Sequence, residues 1–275
     1  MSYAFPDKAV ILAAGFGSRL RPLTDLRPKP LIEVNGTPIL YNALRNLEAV
    51  GVREATIVVG YRKDAIQYAC GHRFGGVEIN YVESAVFDRT GSAFSLWLAR
   101  ETLLRGDCYI IEGDVFFETA AVTGLKEGGP ANVAAVAPFE ASMEGSAVVL
   151  SHDGFLSEIR LKQSAKNLAA PEQQLFKTLN LMSFCGQDLR SKIVPALVDL
   201  IGSGEVKAYT EELLAHLIAR RGLRVAAVRC DDLKWYEIDS QEDLRVAEEI
   251  FRDHLPLRAQ RGRAVDGASL ADGGQ

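Results

Sequence analysis

A short apolar run that ends in a glycine-rich loop constrains the fold of this chain more than any other feature. Residues 9–13 read AVILA and lead directly into Ala14 and Gly15. A run this short and this apolar predicts a strand that is buried on both faces, as in a parallel sheet. A polar loop follows, and Thr37-Pro38 begins a helical pattern with proline in the first turn. The chain therefore opens with the strand, loop and helix of an open α/β sheet.

Strand-like and helix-like segments alternate along the rest of the chain. In the first half, strand patterns at 56–59, 77–82 and 109–111 alternate with helical patterns at 38–50, 64–70 and 92–104. In the second half, strand-like segments at 132–137, 146–151, 155–161 and 178–184 precede helices at 188–201, 210–220 and 240–251 and a strand at 224–230. This order predicts an α/β fold with a doubly wound, mostly parallel sheet and added antiparallel strands.

The composition indicates an ordinary globular protein. Hydrophobic residues make up 48% and charged residues 24% of the 275 positions, which is enough for a sizeable core. The net charge is −5, and no block of Lys and Arg indicates a nucleic-acid partner. No apolar run reaches the roughly 18 residues that cross a bilayer, and the N-terminus lacks a signal-peptide pattern. We therefore expect a cytoplasmic protein, monomeric or dimeric, without a nucleic-acid or membrane partner.

One domain is predicted over residues 1–257. Residues 258–275 are rich in Gly, Ala and Arg without periodicity, which predicts a disordered tail. The cysteines form no C-x-x-C pair, and we interpret them as small buried hydrophobic residues: Cys70, Cys108, Cys185 and Cys230.

Positive charge follows the glycines of the opening loop. Gly15 and Gly17 allow backbone angles that are closed to other residues, so a ligand can approach the main chain there. Arg19 and Arg21 follow, and Lys29 lies between two prolines. Backbone N–H groups and guanidinium groups both bind phosphate oxygens. The loop therefore predicts a phosphate site, although it matches neither G-x-G-x-x-G nor the P-loop.

Two carboxylates follow strand-like segments. Asp114 comes after residues 109–111, and Asp239 comes after a β-like run and before a helix that Ser240 caps. Mg²⁺ usually binds one or two protein carboxylates together with phosphate oxygens. Asp114 therefore predicts a metal site beside the phosphate loop, whereas Asp239 by itself fits a helix-terminus carboxylate equally well.

The opening segment resembles the signature of a known family. The sequence LAAGFGSRL at 12–20, PKPL at 28–31 and GTP at 36–38 is similar to the signature of nucleoside-triphosphate transferases, such as the sugar-1-phosphate nucleotidyltransferases. The resemblance extends over about residues 8–251 and implies their Rossmann-like nucleotidyltransferase fold. Arg27 matches no position of the pattern, and we interpret it as a solvated surface charge.

The resemblance also implies the roles of individual residues. Arg19 would contact the triphosphate, Lys29 would stabilise charge during transfer, and Asp114 and Asp239 would hold Mg²⁺. The nucleotide would bind at Leu12, Ala13, Ala14, Gly15, Gly17, Ser18, Gly60, Thr90 and Gly91.

The C-terminal pattern narrows the substrates. The sequence WYEIDSQEDLRVAEEI at 235–250 is similar to the end of small phosphocholine and phosphonate cytidylyltransferases. This similarity favours CTP and a small phosphate- or phosphonate-bearing acceptor. The implied acceptor contacts are Lys177, Glu237 and the aromatic faces of Trp235 and Tyr236, with Phe116 as a further candidate.

Two other functions stay open at this point. A sugar-1-phosphate nucleotidyltransferase that uses UTP, GTP or dTTP fits the opening signature equally well. A non-catalytic regulatory module that binds nucleotides is a second alternative, but such a module is expected to lose Lys29, Asp114 or Asp239, and this chain has all three.

Overall fold

The computed structural model describes residues 6–127, 131–140, 143–164 and 174–253. The strands are β1 (Lys8–Ala13), β2 (Glu33–Val34), β3 (Thr37–Pro38), β4 (Glu54–Val59), β5 (Arg73–Phe74), β6 (Val77–Glu83), β7 (Cys108–Glu112), β8 (Val115–Phe117), β9 (Val133–Pro138), β10 (Gly145–Leu150), β11 (Leu156–Gln163), β12 (Leu175–Phe184), β13 (Ala226–Arg229) and β14 (Trp235–Glu237). The helices are α1 (Leu23–Leu26), α2 (Ile39–Ala49), α3 (Lys63–Cys70), α4 (Ser92–Leu98), α5 (Arg100–Leu104), α6 (Thr119–Glu127), α7 (Gly186–Asp188), α8 (Val194–Gly202), α9 (Thr210–Arg221) and α10 (Gln241–Ile250).

Within the described part of the chain, ten strands join in one sheet. Eight of them follow the order β11-β10-β12-β7-β1-β4-β6-β5, and β9 pairs with both β12 and β13. The centre is parallel, because β1 runs parallel to β7 and β4, and β4 runs parallel to β6. Strand β12 is antiparallel to β7, β9 and β10. The predicted doubly wound, mostly parallel sheet with added antiparallel strands is confirmed.

Helices cover the sheet on both faces, and β1 shows why its sequence is continuously apolar. Ala9, Ile11 and Ala13 pack on one side in a cluster with α2, α3 and α6. Val10 and Leu12 pack on the other side in a cluster with α4, α8 and α9. Because both faces are buried, every residue from 9 to 13 must be apolar.

Several predicted boundaries differ from the structure. The helix predicted over 92–104 is divided at Ala99 into α4 and α5. The helix predicted from 188 starts at Gly186 and passes through a π-helical turn, Leu189–Ile193, before α8. The strand β8 and the helix α6 were not predicted, because residues 115–127 combine a very short apolar run with a segment rich in Ala, Thr and Gly.

Three of the four cysteines are buried, as the sequence predicted. All four thiols are free; Cys70, Cys108 and Cys230 are buried as predicted. Cys185 is only half-buried, and its Sγ accepts a hydrogen bond from the Asp188 N–H at 3.5 Å, because it caps α7.

The predicted tail, 258–275, and residues 254–257 lie outside the described residues. Where the structure describes the chain, every helix is too short or too polar to cross a bilayer.

Gly91 provides a test of the packing that leads into the site. Its N–H donates to Val206 O, and a Cβ at this position would lie 2.2 Å from Ala208 O. We expect Gly91→Ala to lower the free energy of unfolding by about 1–3 kcal/mol, because backbone atoms must move apart. Gly202→Ala in α8 is the control, since no atom lies within 4 Å of the added Cβ. Urea unfolding measures both variants, and equal stability of the two would contradict this account.

Candidate active site

A cleft of about 770 Å³ lies at the edge of the sheet where β1 and β7 end. Ligands bind at this edge in open α/β folds, because the loops after parallel strands meet there. The structure brings fourteen of the predicted site residues to its lining: Leu12, Ala13, Ala14, Gly15, Gly17, Ser18, Arg19, Lys29, Thr90, Gly91, Asp114, Lys177, Glu237 and Asp239.

A buried lysine joins three distant parts of the chain in this cleft. Lys29 Nζ lies 2.9 Å from Asp114 Oδ2 and 2.6 Å from Asp239 Oδ1, and its side chain is 11% exposed. Arg19 approaches the same cluster from the glycine loop, with its guanidinium 2.8 Å from Asp239 Oδ2. Two cations and two carboxylates therefore form one ion-pair network.

The network shifts the pKa of its members. Burial by itself lowers the pKa of Lys29, but the carboxylates of Asp114 and Asp239 outweigh that effect and raise the pKa above its ordinary value. For Asp239, burial acts to raise the pKa, but Lys29 and then Arg19 hold it below the ordinary value. Lys29 and Asp239 are therefore both charged at neutral pH.

A two-stranded ribbon positions the two carboxylates. Strand β8 follows Asp114 and pairs antiparallel with β14, which precedes Asp239. The Ile238 N–H donates to Asp114 O at 2.9 Å, so the two acidic residues lie on adjoining ends of the ribbon. Helix α2 holds the ribbon in place, because buried Asn42 and Asn46 form hydrogen bonds with the N–H and C=O of Phe117.

The carboxylates fit the chemistry of a hard divalent cation. Asp114 Oδ1 is buried and has no hydrogen-bond partner among the described residues. No three His, Cys, Asp or Glu side chains form a metal cage in the described ranges. A pair of aspartates with one uncommitted oxygen suits Mg²⁺, which keeps most of its coordination for water and phosphate oxygens.

The glycine loop passes close to Lys29. Gly17 has a φ of 63°, and an added Cβ would lie 2.9 Å from Lys29 Cβ. Thr24 Oγ1 donates to Gly17 O at 3.0 Å and fixes this approach. Gly15 has open space around it, so its backbone remains accessible from the cleft. Gly17 therefore allows the loop to pack closely against Lys29, whereas Gly15 leaves its backbone accessible to a ligand in the cleft.

A second ion pair lies deeper in the cleft. Lys177 Nζ is 2.7 Å from Glu237 Oε2, and the Lys177 side chain is 7% exposed. Gly145 leaves the space for this ammonium, since an added Cβ would lie 2.6 Å from Lys177 Nζ. Burial raises the pKa of Glu237 to about 7, although Lys177 opposes the shift. The predicted acceptor residues Lys177, which is buried, and Glu237, which is half-buried, therefore form an ion pair.

Four candidate site residues do not line the cleft. Gly60 packs against Ala14 O and the Phe87 ring, so its lack of a side chain serves the fold. Trp235 and Tyr236 alternate along β14 and point into two different apolar clusters. Phe116 is fully buried with Phe251 at a ring-centroid distance of 4.7 Å. The sequence did not show that β14 pairs with β8, and this pairing turns the aromatic rings inward.

Sequence analysis also missed two acidic residues that the fold brings to the cleft. Glu112 ends β7, and Glu211 lies in the first turn of α9. Burial, and then the neighbouring carboxylate of Glu211, raise the pKa of Glu112 well above its ordinary value. Burial also raises the pKa of Glu211. An acidic residue at the start of a helix is common, so the sequence carried no signal for Glu211.

The chain matches known nucleotidyl transferases. The nucleotidyl transferase family model matches residues 8–132. The CMP-5'-(3-aminopropyl)phosphonate synthase of Streptomyces rubellomurinus is 34% identical over 94% of this chain, which spans 40% of that protein's length. The choline-phosphate cytidylyltransferase of Streptococcus pneumoniae is 27% identical over 90% of this chain and 99% of its own. A structure of CTP:phosphocholine cytidylyltransferase from that organism has a TM-score of 0.74 at 25% identity, over 89% of this chain and 98% of its own. The predicted resemblance is confirmed.

The buried ammonium gives a prediction about stability. We expect Lys29→Met to lower the free energy of unfolding by about 3 kcal/mol at pH 7, because Asp114 and Asp239 lose their shared cation. The lowered pKa of Asp239 contributes stability that is lost as the pH falls through its folded value, and the raised pKa of Lys29 contributes stability that is lost at alkaline pH. The deficit should therefore be largest between about pH 5 and pH 10.

Arg27→Met is the matched control. Arg27 is exposed and pairs with Glu33 at 2.6 Å, so its loss should cost less than about 1 kcal/mol. Denaturant unfolding across pH measures both variants. A deficit for Lys29→Met that does not depend on pH would contradict the electrostatic account.

Proposed function

We propose that this chain, whose residues 8–132 match the nucleotidyl transferase family model, transfers CMP from CTP to a small phosphate- or phosphonate-bearing acceptor and releases pyrophosphate. The observation that carries the proposal is the meeting of a glycine loop, two cations and two carboxylates in one cleft. The names of the two curated relatives, a CMP-phosphonate synthase and a choline-phosphate cytidylyltransferase, support CTP and this acceptor class.

The reaction needs no protein nucleophile. An anionic oxygen of the acceptor's phosphate or phosphonate attacks the α-phosphorus of CTP and forms a new P–O bond. The bond from the α-phosphorus to the bridging oxygen of the β-phosphate breaks, and pyrophosphate takes the electron pair. Since the attacking oxygen is already deprotonated, catalysis consists of alignment and charge stabilisation.

The cations of the network are placed for that stabilisation. Lys29 Nζ is held at the centre of the cleft by Asp114 and Asp239, and the prolines on either side restrict its backbone. Arg19 follows the glycine loop directly, where its guanidinium can bind two phosphate oxygens. We assign Lys29 to the charge that develops at the α-phosphate and Arg19 to the β- and γ-phosphates.

We further propose that Mg²⁺ binds at Asp114 and Asp239. The uncommitted Oδ1 of Asp114 and the cleft position of both carboxylates support this assignment. The ion would neutralise phosphate charge when it is bound. The side chains of Asp114 and Asp239 would hold it, and the same carboxylates keep Lys29 oriented.

The first test of the proposed function concerns the nucleotide and the acceptor that the protein uses. We expect pyrophosphate release with CTP and a phosphonate or phosphocholine acceptor, and little with UTP, GTP, ATP or dTTP. The assay is pyrophosphate release across those five nucleotides against aminoalkylphosphonates, phosphocholine and sugar 1-phosphates. Turnover confined to UTP, GTP or dTTP with a sugar 1-phosphate would establish the alternative function, and nucleotide binding without turnover would indicate a regulatory module.

The second prediction concerns the metal. We expect Asp114→Asn and Asp239→Asn each to lower kcat by about 10²-fold or more, because charge stabilisation at the phosphates is lost. Both variants should also lose the thermal stabilisation that Mg²⁺ with CTP gives the native protein. Asp232→Asn, an exposed position just before β14, is the control. A variant that keeps the native rate at limiting Mg²⁺ would not have removed a metal ligand.

The third prediction separates transition-state stabilisation from binding. Lys29→Ala should lower kcat by about 10²–10³-fold with a smaller change in KM, since the donor acts on charge that develops in the transition state. Arg19→Lys should recover only part of the native rate, because one ammonium cannot replace the two-pronged guanidinium. Arg27→Ala, on the same loop but exposed, should stay close to the native rate. If Arg27→Ala were as damaging as Lys29→Ala, the assignment of roles within the loop would be wrong.

A further inference from the structure

We infer that Tyr61 is a positioning residue of the site, which holds the glycine loop, residues 14–28, in the conformation that receives the triphosphate. The inference rests on the proposed transfer from CTP and adds what fixes the loop that would bind the nucleotide. Tyr61 comes shortly after β4 and does not line the cleft. It therefore acts through the loop and not on the substrate.

Hydrogen bonds from Tyr61 reach two separate points of the loop. Its N–H donates to Ala14 O at 3.0 Å, and its hydroxyl donates to Thr24 O at 3.0 Å. Thr24 is fully buried, and its own hydroxyl donates to Gly17 O at 3.0 Å. Gly17 in turn lies against the side chain of Lys29. Tyr61 thus connects the end of a central strand to the start of the loop and, through Thr24, to the packing around Lys29.

The ring of Tyr61 packs on the aromatic residue between the two glycines. The ring centroids of Tyr61 and Phe16 are 4.2 Å apart, and the Arg21 guanidinium lies 4.7 Å from the Phe16 centroid. Aromatic pairs and cation–π contacts of this kind add to the attraction that area burial provides. Gly15 and Gly17 line the cleft, whereas Phe16 does not. The ring therefore anchors the loop away from the cleft, and the neighbouring backbone faces a ligand.

Arg62 supports Tyr61 at the cost of an unfavourable backbone conformation. Its φ is 49°, in the left-handed region that residues other than glycine rarely adopt. Its guanidinium donates to Asp25 O, and its Nε donates to the Tyr61 hydroxyl oxygen at 3.2 Å. That oxygen accepts from Arg62 while its hydrogen is donated to Thr24 O, so the two hydrogen bonds strengthen each other. A strained backbone persists where the surrounding contacts determine it.

These contacts engage the carbonyl groups of the loop and leave its N–H groups to a ligand. The carbonyl oxygens that accept from Tyr61, Arg62 or Thr24 are those of Ala14, Gly17, Thr24 and Asp25. Within the part of the chain that the structure describes, the N–H groups of residues 15–19 donate no hydrogen bond. Phosphate oxygens only accept, so a triphosphate needs those donors in fixed positions. Tyr61 fixes the loop without occupying them.

Hydrogen exchange tests whether Tyr61 holds the loop. Tyr61→Phe removes the hydroxyl and keeps the ring. We expect exchange of peptides that cover 14–28 to become about 3- to 10-fold faster, the factor that corresponds to one lost hydrogen bond. Tyr61→Leu also removes the ring and should have a larger effect. Tyr68→Phe is the matched control, since Tyr68 lies on α3 and is 94% exposed.

Nucleotide affinity tests whether this position of the loop matters for the site. Calorimetry with Mg²⁺ and CTP should show a Kd that is about 3- to 10-fold higher for Tyr61→Phe, because the loop must be reordered before it binds. The values of kcat and of KM for the acceptor should stay within about 2-fold of native, since bound nucleotide restores the loop. Saturating CTP should remove most of the difference in exchange. A role in the fold alone would leave the affinity for CTP unchanged.

The outcomes separate this inference from the proposed function. Native exchange, or native CTP affinity, in Tyr61→Phe would overturn the role of Tyr61 and leave CMP transfer standing. If the native protein bound CTP but released no pyrophosphate with any acceptor, the proposed transfer would fail, and the affinities of Tyr61→Phe and Tyr68→Phe for CTP would still decide the inference. If it bound none of the five nucleotides, both would be refuted. Should Tyr61→Leu fail to fold, Tyr61→Phe decides, because it keeps the packing on Phe16.

Discussion

The structure depends on one buried ammonium group that balances two half-buried carboxylates. Lys29 comes from the loop after β1, Asp114 from the turn after β7 and Asp239 from the turn after β14. The β8–β14 pairing already joins the two acidic segments, and Lys29 joins the glycine loop to both of them. The Coulombic attraction at Lys29 Nζ therefore draws the glycine loop, the central sheet and the C-terminal ribbon to one point. Removing any member leaves charge in a partly buried place, which is why the three side chains behave as a unit.

The scaffold around this network converts attraction into fixed positions. Helix α2 uses Asn42 and Asn46 to bind both backbone groups of Phe117, so the ribbon cannot slide along the helix. Strand β12 supplies Lys177 from a stretch that is buried throughout. Rigid positions matter here because charge stabilisation in a dry cleft loses its effect when the donors can move. Strands and buried amide groups hold the charged side chains of the site in place, and these fixed positions serve both the stability of the fold and the proposed chemistry.

The sequence predicted those parts of the fold whose signals are local. Strands such as β1 are buried on both faces, so their composition identifies them, and the glycines and cations after β1 indicated a phosphate site. The ribbon of β8 and β14 was not predicted, because three-residue strands carry too little periodicity. Because the pairing of β14 with β8 was not predicted, the rings of Trp235 and Tyr236 were assigned to the acceptor rather than to the apolar core. Glu211 joins the cleft only through the packing of α9, which no pattern in the sequence encodes.

The spacing of the network along the chain has a consequence for biosynthesis. Lys29 and Asp114 belong to the first half of the polypeptide, whereas Asp239 follows 125 residues after Asp114. A ribosome therefore completes the parallel strands β1, β4, β6 and β7 long before the second carboxylate emerges. During that interval the nascent chain carries a lysine ammonium with half of its counter-charge and a strand β8 without its partner β14. A premature stop codon at position 239 would keep all ten strands of the large sheet in the polypeptide but remove one carboxylate of the ion-pair network.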